Sequence, residues 1–217
     1  MRRLLLAAAV LATAATAEEF DGVTADTLLP DAQFFRLATC GAPPGKACTG
    51  PVVRWPKTVV TLVLLPGDTR PPAGFTRKLE AALSRAIDQI NGTQAGIRIR
   101  RVPGGKADIR VIPTAHAEGE VLTDTPDLYA AGIMGVGYMT YWWNEADAIT
   151  AATILISTSI TDEDLPSVML EETFQSLGPR FDIEGPAYEG VSILSQTSNA
   201  TVTIEGQDAR LLRWLYP

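Results

Sequence analysis

Glu171, Glu172, Gln175 and Asp182 stand close together in the stretch Ser167–Asp182, which reads SVMLEETFQSLGPRFD. On a helix, residues four apart share a face, so Glu171 and Gln175 point the same way. Two side chains at that spacing are how a helix grips one metal ion. Glu171 can ligate as a carboxylate, but the neutral amide oxygen of Gln175 is a weak donor to a borderline-soft ion such as zinc. Glu172 sits about 100° round from Glu171, where it can serve as general base on a metal-bound water. Glu171, Gln175 and Asp182 thus describe an atypical carboxylate–amide site for one divalent metal ion, with Glu172 as its catalytic residue. The two adjacent glutamates do not make a glycosidase pair, because retaining enzymes need their carboxyls ~5 Å apart across a sugar. A buried glutamate beside a second carboxylate would have a raised pKa and could move protons. The plain alternative is an amphipathic helix with its polar face at Glu171, Glu172 and Gln175 and its apolar stripe at Leu170, Phe174 and Leu177.

Other residues offer less. Tyr138, Tyr141, Trp142 and Trp143 form the densest aromatic patch. They are expected to line a cleft and grip a peptide or glycan by apolar contact, unless alternate members are core. His116 is the sole histidine, so a histidine-based zinc site cannot be assembled. It either joins Glu171, Glu172 and Asp182 or is a solvated loop residue. Ser192 has no G-x-S-x-G setting, which argues against a serine hydrolase. GIMGVG at Gly132–Gly137 lacks the G-K-[ST] of a phosphate loop.

The elements around these residues read as follows. Thr58–Leu64 is a continuous β-branched run, as in a buried strand. Phe75, Leu79, Ala82, Leu83, Ala86, Ile87 and Ile90 recur at helical spacing, and Asn91-Gly92 stops that helix. Ile97–Arg100 and Asp108–Ile112 are short strands, and Ala115–Asp127 is a surface loop. Gly132–Trp143 is an edge strand, Ala148–Ser157 another strand, and the Ser167–Asp182 helix follows. Ile204–Tyr216 closes the chain as a helix with Leu211, Leu212 and Leu215 as its apolar positions. The order predicts an α+β domain: a mixed, mostly parallel twisted sheet of four or five strands carrying a long N-terminal helix, the Ser167–Asp182 helix and a C-terminal helix.

The chain has 217 residues and a formal net charge of −7. Acidity of that size argues against nucleic acid or anionic membranes as the main partner. Met1–Ala17 reads as a secretory leader: Arg2 and Arg3, the apolar run Leu4–Ala12, then Ala15-Thr16-Ala17 as the cleavage site. That run is too short to span a membrane. The expected product is exported, periplasmic or extracellular, and soluble, with no membrane span after cleavage near Ala17. In an oxidising compartment Cys40 and Cys48 are expected to pair as a loop staple. Residues 18–54 are expected to form an N-terminal arm holding that loop, and residues 55–217 the domain.

The Glu171–Gly178 spacing resembles the H-E-x-x-H-x-x-G-x-x-H/D box of the zincin metallopeptidases, metzincin branch. Glu172 and Gly178 match. Glu171 and Gln175 replace the two helical histidines, and the third ligand position falls on Phe181, with Asp182 one residue late. Metzincins also place an upper sheet and long helix first, then an edge strand over the cleft, then the box. A tight S-I-M turn follows the box; Ser192-Ile193-Leu194 is similar, with Leu194 for the Met. An Asp-bearing last helix ending in L-Y is similar to Asp208–Tyr216. The chain resembles more closely a group of exported proteobacterial proteins classed only as a domain of unknown function. These carry E-E-x-x-Q-x-L-G, S-I-[FL] and a terminal L-Y. This resemblance implies a zincin-like fold covering roughly Trp55–Pro217, without an established activity. The expectation is a domain that is no ordinary zinc protease, needs no cofactor, and binds a peptide, protein or cell-envelope component. The alternatives are the metal-dependent hydrolase above, and a scaffold in which the polar helix face only satisfies local hydrogen bonds.

Overall fold

The computed structural model describes residues 22–67 and 69–217. The expected leader, Met1–Ala17, lies outside the described residues. The chain opens with β1 (Val23–Thr24) and α1 (Asp31–Cys40), followed by β2 (Val59–Leu64) and α2 (Phe75–Gly92). Next come β3 (Arg98–Arg101), β4 (Ile109–Thr114), and the short β5 (Val121–Leu122) and β6 (Gly132–Ile133). Then come β7 (Gly137–Trp143), β8 (Ile149–Ser157), α3 (Leu165–Gln175), β9 (Ile183–Glu184) and α4 (Gly206–Leu215).

Five strands form the main sheet in the order β3-β2-β4-β8-β7. β3, β2, β4 and β8 run parallel, and β7 pairs antiparallel with β8 at one edge. This is the α+β architecture with a mostly parallel sheet that the sequence order predicts. The apolar stripe of α2 is buried throughout, from Phe75 to Ile90. It shares one core with α3 and with Val60, Leu62, Ile109, Val111, Ala152, Ile154 and Ile156 of the sheet. The opposite sheet face is covered in part by the β5–β6 ladder, where Leu122 and Met134 pack on Leu155, Ile112 and Tyr138. The Ala115–Asp127 segment is therefore not all loop: Leu122 is buried in that small cluster.

The described residues of the expected 18–54 arm pack on the 55–217 segment. Phe34, Leu37, Ala38 and Cys40 of α1 lie in the main core. Phe34 stacks on Tyr188 at 5.6 Å, and β1 pairs with β9. The arm is thus part of the domain. Its ten-residue helix is too short for its periodicity to stand out, and its packing partners lie some 150 residues later.

Cys40 and Cys48 form a disulfide across a sequence separation of 8. A loop this short constrains the unfolded chain by roughly 2–3 kcal/mol. Replacing both cysteines by serine is expected to lower the unfolding free energy by that much, read as a lower urea midpoint. An unchanged midpoint in oxidising buffer would show that the loop is held by other contacts.

Candidate functional site

The helix that carries the glutamates is not amphipathic in place. Apart from Pro166 and Glu171, which keep some accessible surface, its residues are buried, polar ones included. Burial of a polar face requires internal partners, and α3 has them. Thr173 Oγ1 donates to the Met169 carbonyl at 2.6 Å, Ser167 Oγ to Thr201 at 2.7 Å, and Ser176 Oγ to Thr173 at 2.7 Å. The carbonyls just beyond the helix are closed by aromatic donors. Trp55 Nε1 donates to Ser176, Tyr216 Oη to Leu177, and Tyr141 Oη to Gly178. Gly178 adopts φ +127, and a Cβ there would meet the Val53 carbonyl oxygen at 2.5 Å. A glycine is needed at that turn on both counts.

Asp182 is held from the other side. Its backbone carbonyl accepts the Val23 N–H at 2.8 Å, so the N-terminal strand fixes its position. Gln175 Nε2 donates to Asp182 Oδ1 at 2.5 Å, and Glu171 shares a side-chain hydrogen bond with the same carboxylate. A bond that raises the pKa of Glu171 is one its protonated form donates. Glu171 keeps part of its surface open, yet its carboxyl is pushed well above the usual glutamate range. Desolvation is the main cause, followed by the charges of Asp182 and Glu172 and, more weakly, of Asp208. Burial raises Glu172 to about 8, with the charge of Asp182 adding to it. At neutral pH Glu172 therefore holds its proton, and burial with the neighbouring charges favours the protonated form of Glu171.

Glu172 packs against the first residue of β7. A Cβ on Gly137 would collide with the Glu172 carboxyl and would meet Val168 Cγ1 at 2.6 Å. The glycine thus lets the strand pass directly over the α3 glutamate. Below lies the turn Ser192-Ile193-Leu194. Ser192 Oγ donates to Asp208 Oδ1 at 2.7 Å and the Ile193 N–H to Asp208 Oδ2 at 2.9 Å. Burial raises Asp208 to about 6 while these two donors oppose the shift.

Glu171, Gln175 and Asp182 are therefore brought together, and Glu172 lies beside them. The amide N–H of Gln175 points at Asp182, and Glu171 shares a hydrogen bond with the same carboxylate. Among the described residues no group of three or more His, Cys, Asp or Glu converges as a metal cage. His116 does not join them: its Nδ1 lies 2.7 Å from Glu120 Oε1 in its own loop.

The aromatic patch does not act as one surface, because the strand pleat divides it. Tyr141 and Trp143 share one face of β7, edge to face at 5.8 Å, and Tyr141 is core. Tyr138 packs in the cluster under β5–β6, and Trp142 lies against Arg110. Only Trp143, 42% exposed, is an open aromatic on the α3 side. Cavities of about 550 Å³ beside Arg101 and about 180 Å³ beside Arg85 do not include Glu171 or Glu172 in their walls. Arg180, Gly137 and the capping role of Trp55 escaped the sequence reading. A lone basic residue two places past Gly178 was the available signal for Arg180. The chain matches no family model and no curated protein.

Proposed function

We propose that this chain is an exported, zincin-like domain without hydrolytic activity, and that it binds a peptide or cell-envelope partner in extended form along β7. The observation that carries this reading is the asymmetry of the two sheet edges. At the β3 edge the Asn91 side chain bonds both the N–H and the carbonyl of Ile99, at 2.9 Å each, and so blocks strand addition. β7 ends the main sheet at the opposite edge, where β8 is its strand partner. An unpaired strand edge recognises an extended chain through main-chain hydrogen bonds, and its pockets select side chains.

Several features support the zincin likeness. An antiparallel edge strand lies beside the box helix, Gly178 ends the box, Asp208 holds the Ser192–Leu194 turn, and Tyr216 caps the box. Export is supported by the disulfide. No helix of the described residues is long and apolar enough to cross a membrane.

The second reading is an atypical metal-dependent hydrolase with Glu172 as base. One observation favours it: a carboxyl raised to about 8 titrates in the range suited to general acid–base work. The mutual satisfaction of Glu171, Gln175 and Asp182 favours the binding role instead.

Two measurements test the choice. Amide NMR shifts on adding peptides from a randomised octapeptide library are expected along Gly137–Trp143, and their absence for every peptide tried would sink the strand-edge reading. Protein soaked in Zn²⁺, Mn²⁺ and Ca²⁺, then desalted, is expected to hold no stoichiometric metal. About one ion per chain, lost in Glu171→Ala, would revive the hydrolase.

A further inference from the structure

The formal net charge of −7 is not spread evenly over the chain. Residues 97–110 hold five basic residues and one acidic, whereas residues 115–127 hold four acidic residues and no Lys or Arg. The fold brings both stretches to one side of the main sheet. Val60, Leu62 and Ile99 point into the core shared with α2. Their strand neighbours Val59, Thr61, Arg98 and Arg100 therefore point to the opposite face, in register as Val59 with Arg98 and Thr61 with Arg100. The β5–β6 ladder covers that face at Ile112, Leu155 and Tyr138. Beside the ladder, on β3 and β2, Arg98 and Arg100 are exposed and Val59 is 43% exposed.

The ladder carries the opposite charge. Leu122 and Met134 point down onto the sheet. Val121 and Ile133, paired directly across the ladder, therefore point away from it, 73% and 52% exposed. Glu118 and Asp124, both exposed, lie three residues to either side of Val121. Two of the four acidic residues are answered within the chain: Glu120 by His116 and the Ala117 N–H, and Asp127 by the charge of Arg110. Glu118 and Asp124 form no ion pair among the described residues, and neither do Arg98 and Arg100. A ladder packed on a sheet stands about 10 Å above it. The face is thus a step, with an acidic, apolar upper level beside a basic lower level that has Val59 at its surface.

We propose that this step is the interface of a two-fold dimer, in which the partner is a second copy of the chain. A two-fold axis lying in the face sets the ladder of each copy on the basic level of the other. Glu118 and Asp124 then meet Arg98 and Arg100 at two equivalent places, and Val121 and Ile133 cover Val59. Exposed apolar side chains rimmed by charge mark surfaces of this kind. The charges also fix the orientation, because a pairing that set ladder on ladder would oppose acidic residues to acidic ones. The interface uses no part of the β7 edge and does not rest on the peptide reading above.

The test is sedimentation velocity on protein purified after export, in a series from about 1 to about 500 μM. The wild type is expected to pass from monomer to dimer and stop there, with weaker association as salt is raised. Two double variants reverse one side of the contact each: Arg98→Glu with Arg100→Glu, and Glu118→Lys with Asp124→Lys. Each sets like charges together and is expected to weaken the dimer about tenfold or more. An equal mixture of the two restores opposite charges at both places and is expected to dimerise within about threefold of the wild type. Unchanged melting temperatures verify that the variants fold. A wild type that stays monomeric throughout, a dimer indifferent to both reversals, or loss in both without rescue on mixing would overturn the proposal. Growth past the dimer would overturn the two-fold arrangement, since a head-to-tail contact need not close.

Discussion

Raising the pH from about 5 to about 9 is expected to destabilise the wild-type protein by several kcal/mol, and Glu172→Gln by less. Glu172 has a folded-state pKa of about 8 against an ordinary value of 4.5, because burial and then the Asp182 charge disfavour its anion. Between those values the folded chain keeps a proton that the unfolded chain has lost. Stability therefore falls as pH rises through that window, and the loss levels off above pH 8. For this one site, linkage gives roughly 5 kcal/mol across the window. Asp208, raised to about 6 from 3.8, acts in the same direction at the acidic end, as does Glu171. The carboxylates held low, Asp31, Asp108 and Glu120, have their effect below the window and with the opposite sign. The amide in Glu172→Gln copies the neutral carboxyl in shape and has no proton to lose. It should match the wild type near pH 5 and exceed it at pH 9. Urea midpoints at pH 5, 7 and 9 decide the matter. Parallel profiles for the two proteins would mean that Glu172 is ionised in the fold.

What the sequence disclosed follows the length of the pattern that carried it. The α2 stripe spans seven apolar positions at helical spacing, and each is buried. The runs that became β2 and β8 are long, apolar and β-branched, so their burial was legible. Helix α1 was not, because its buried residues gain their meaning only from Tyr188 and α4, which no local pattern reveals. The two-residue β1, β5, β6 and β9 are set by their partners alone. The aromatic patch misled through periodicity. Four aromatics within six positions look like one surface, yet a strand sends alternate residues to opposite faces.

The site was legible in its members and not in its state. Spacing placed Glu171 and Gln175 on one face, and the fold does bring them to Asp182. The sequence could not show that the polar face is enclosed, because enclosure comes from the distant 182–208 segment and from Val23. Enclosure is what changes the chemistry. An open Glu171 would be a charged ligand, whereas here desolvation and the Asp182 charge favour its protonated form, which bonds to Asp182. The same residue types therefore describe a metal site when exposed and a satisfied network when buried.

The enclosure of α3 also makes the site depend on the packing of its apolar side, and Phe174→Ala is expected to cost about 3–5 kcal/mol. Phe174 is 0% exposed and among the largest fully buried side chains. It lies on the helix that joins α2, β7 and β8 in one core. Removing the ring leaves a cavity between elements that cannot all close on it, because β8 is fixed on both sides by its sheet partners. For a domain of this size such a loss is a large share of total stability and should lower the melting temperature by about 10 °C. The polar network should suffer with it. Glu171 and Gln175 flank Phe174 within one turn of helix, so any shift of α3 moves their bonds to Asp182. The steep pH dependence carried by Glu172 should therefore flatten in Phe174→Ala as well, since a loosened helix admits water and lowers the desolvation that raises its pKa. Thermal melts at pH 5 and pH 9 read both effects. A midpoint unchanged by Phe174→Ala would place the ring outside the core. A large drop with the pH slope intact would show that the carboxyl network is held by Asp182 and β7 without help from the helix core.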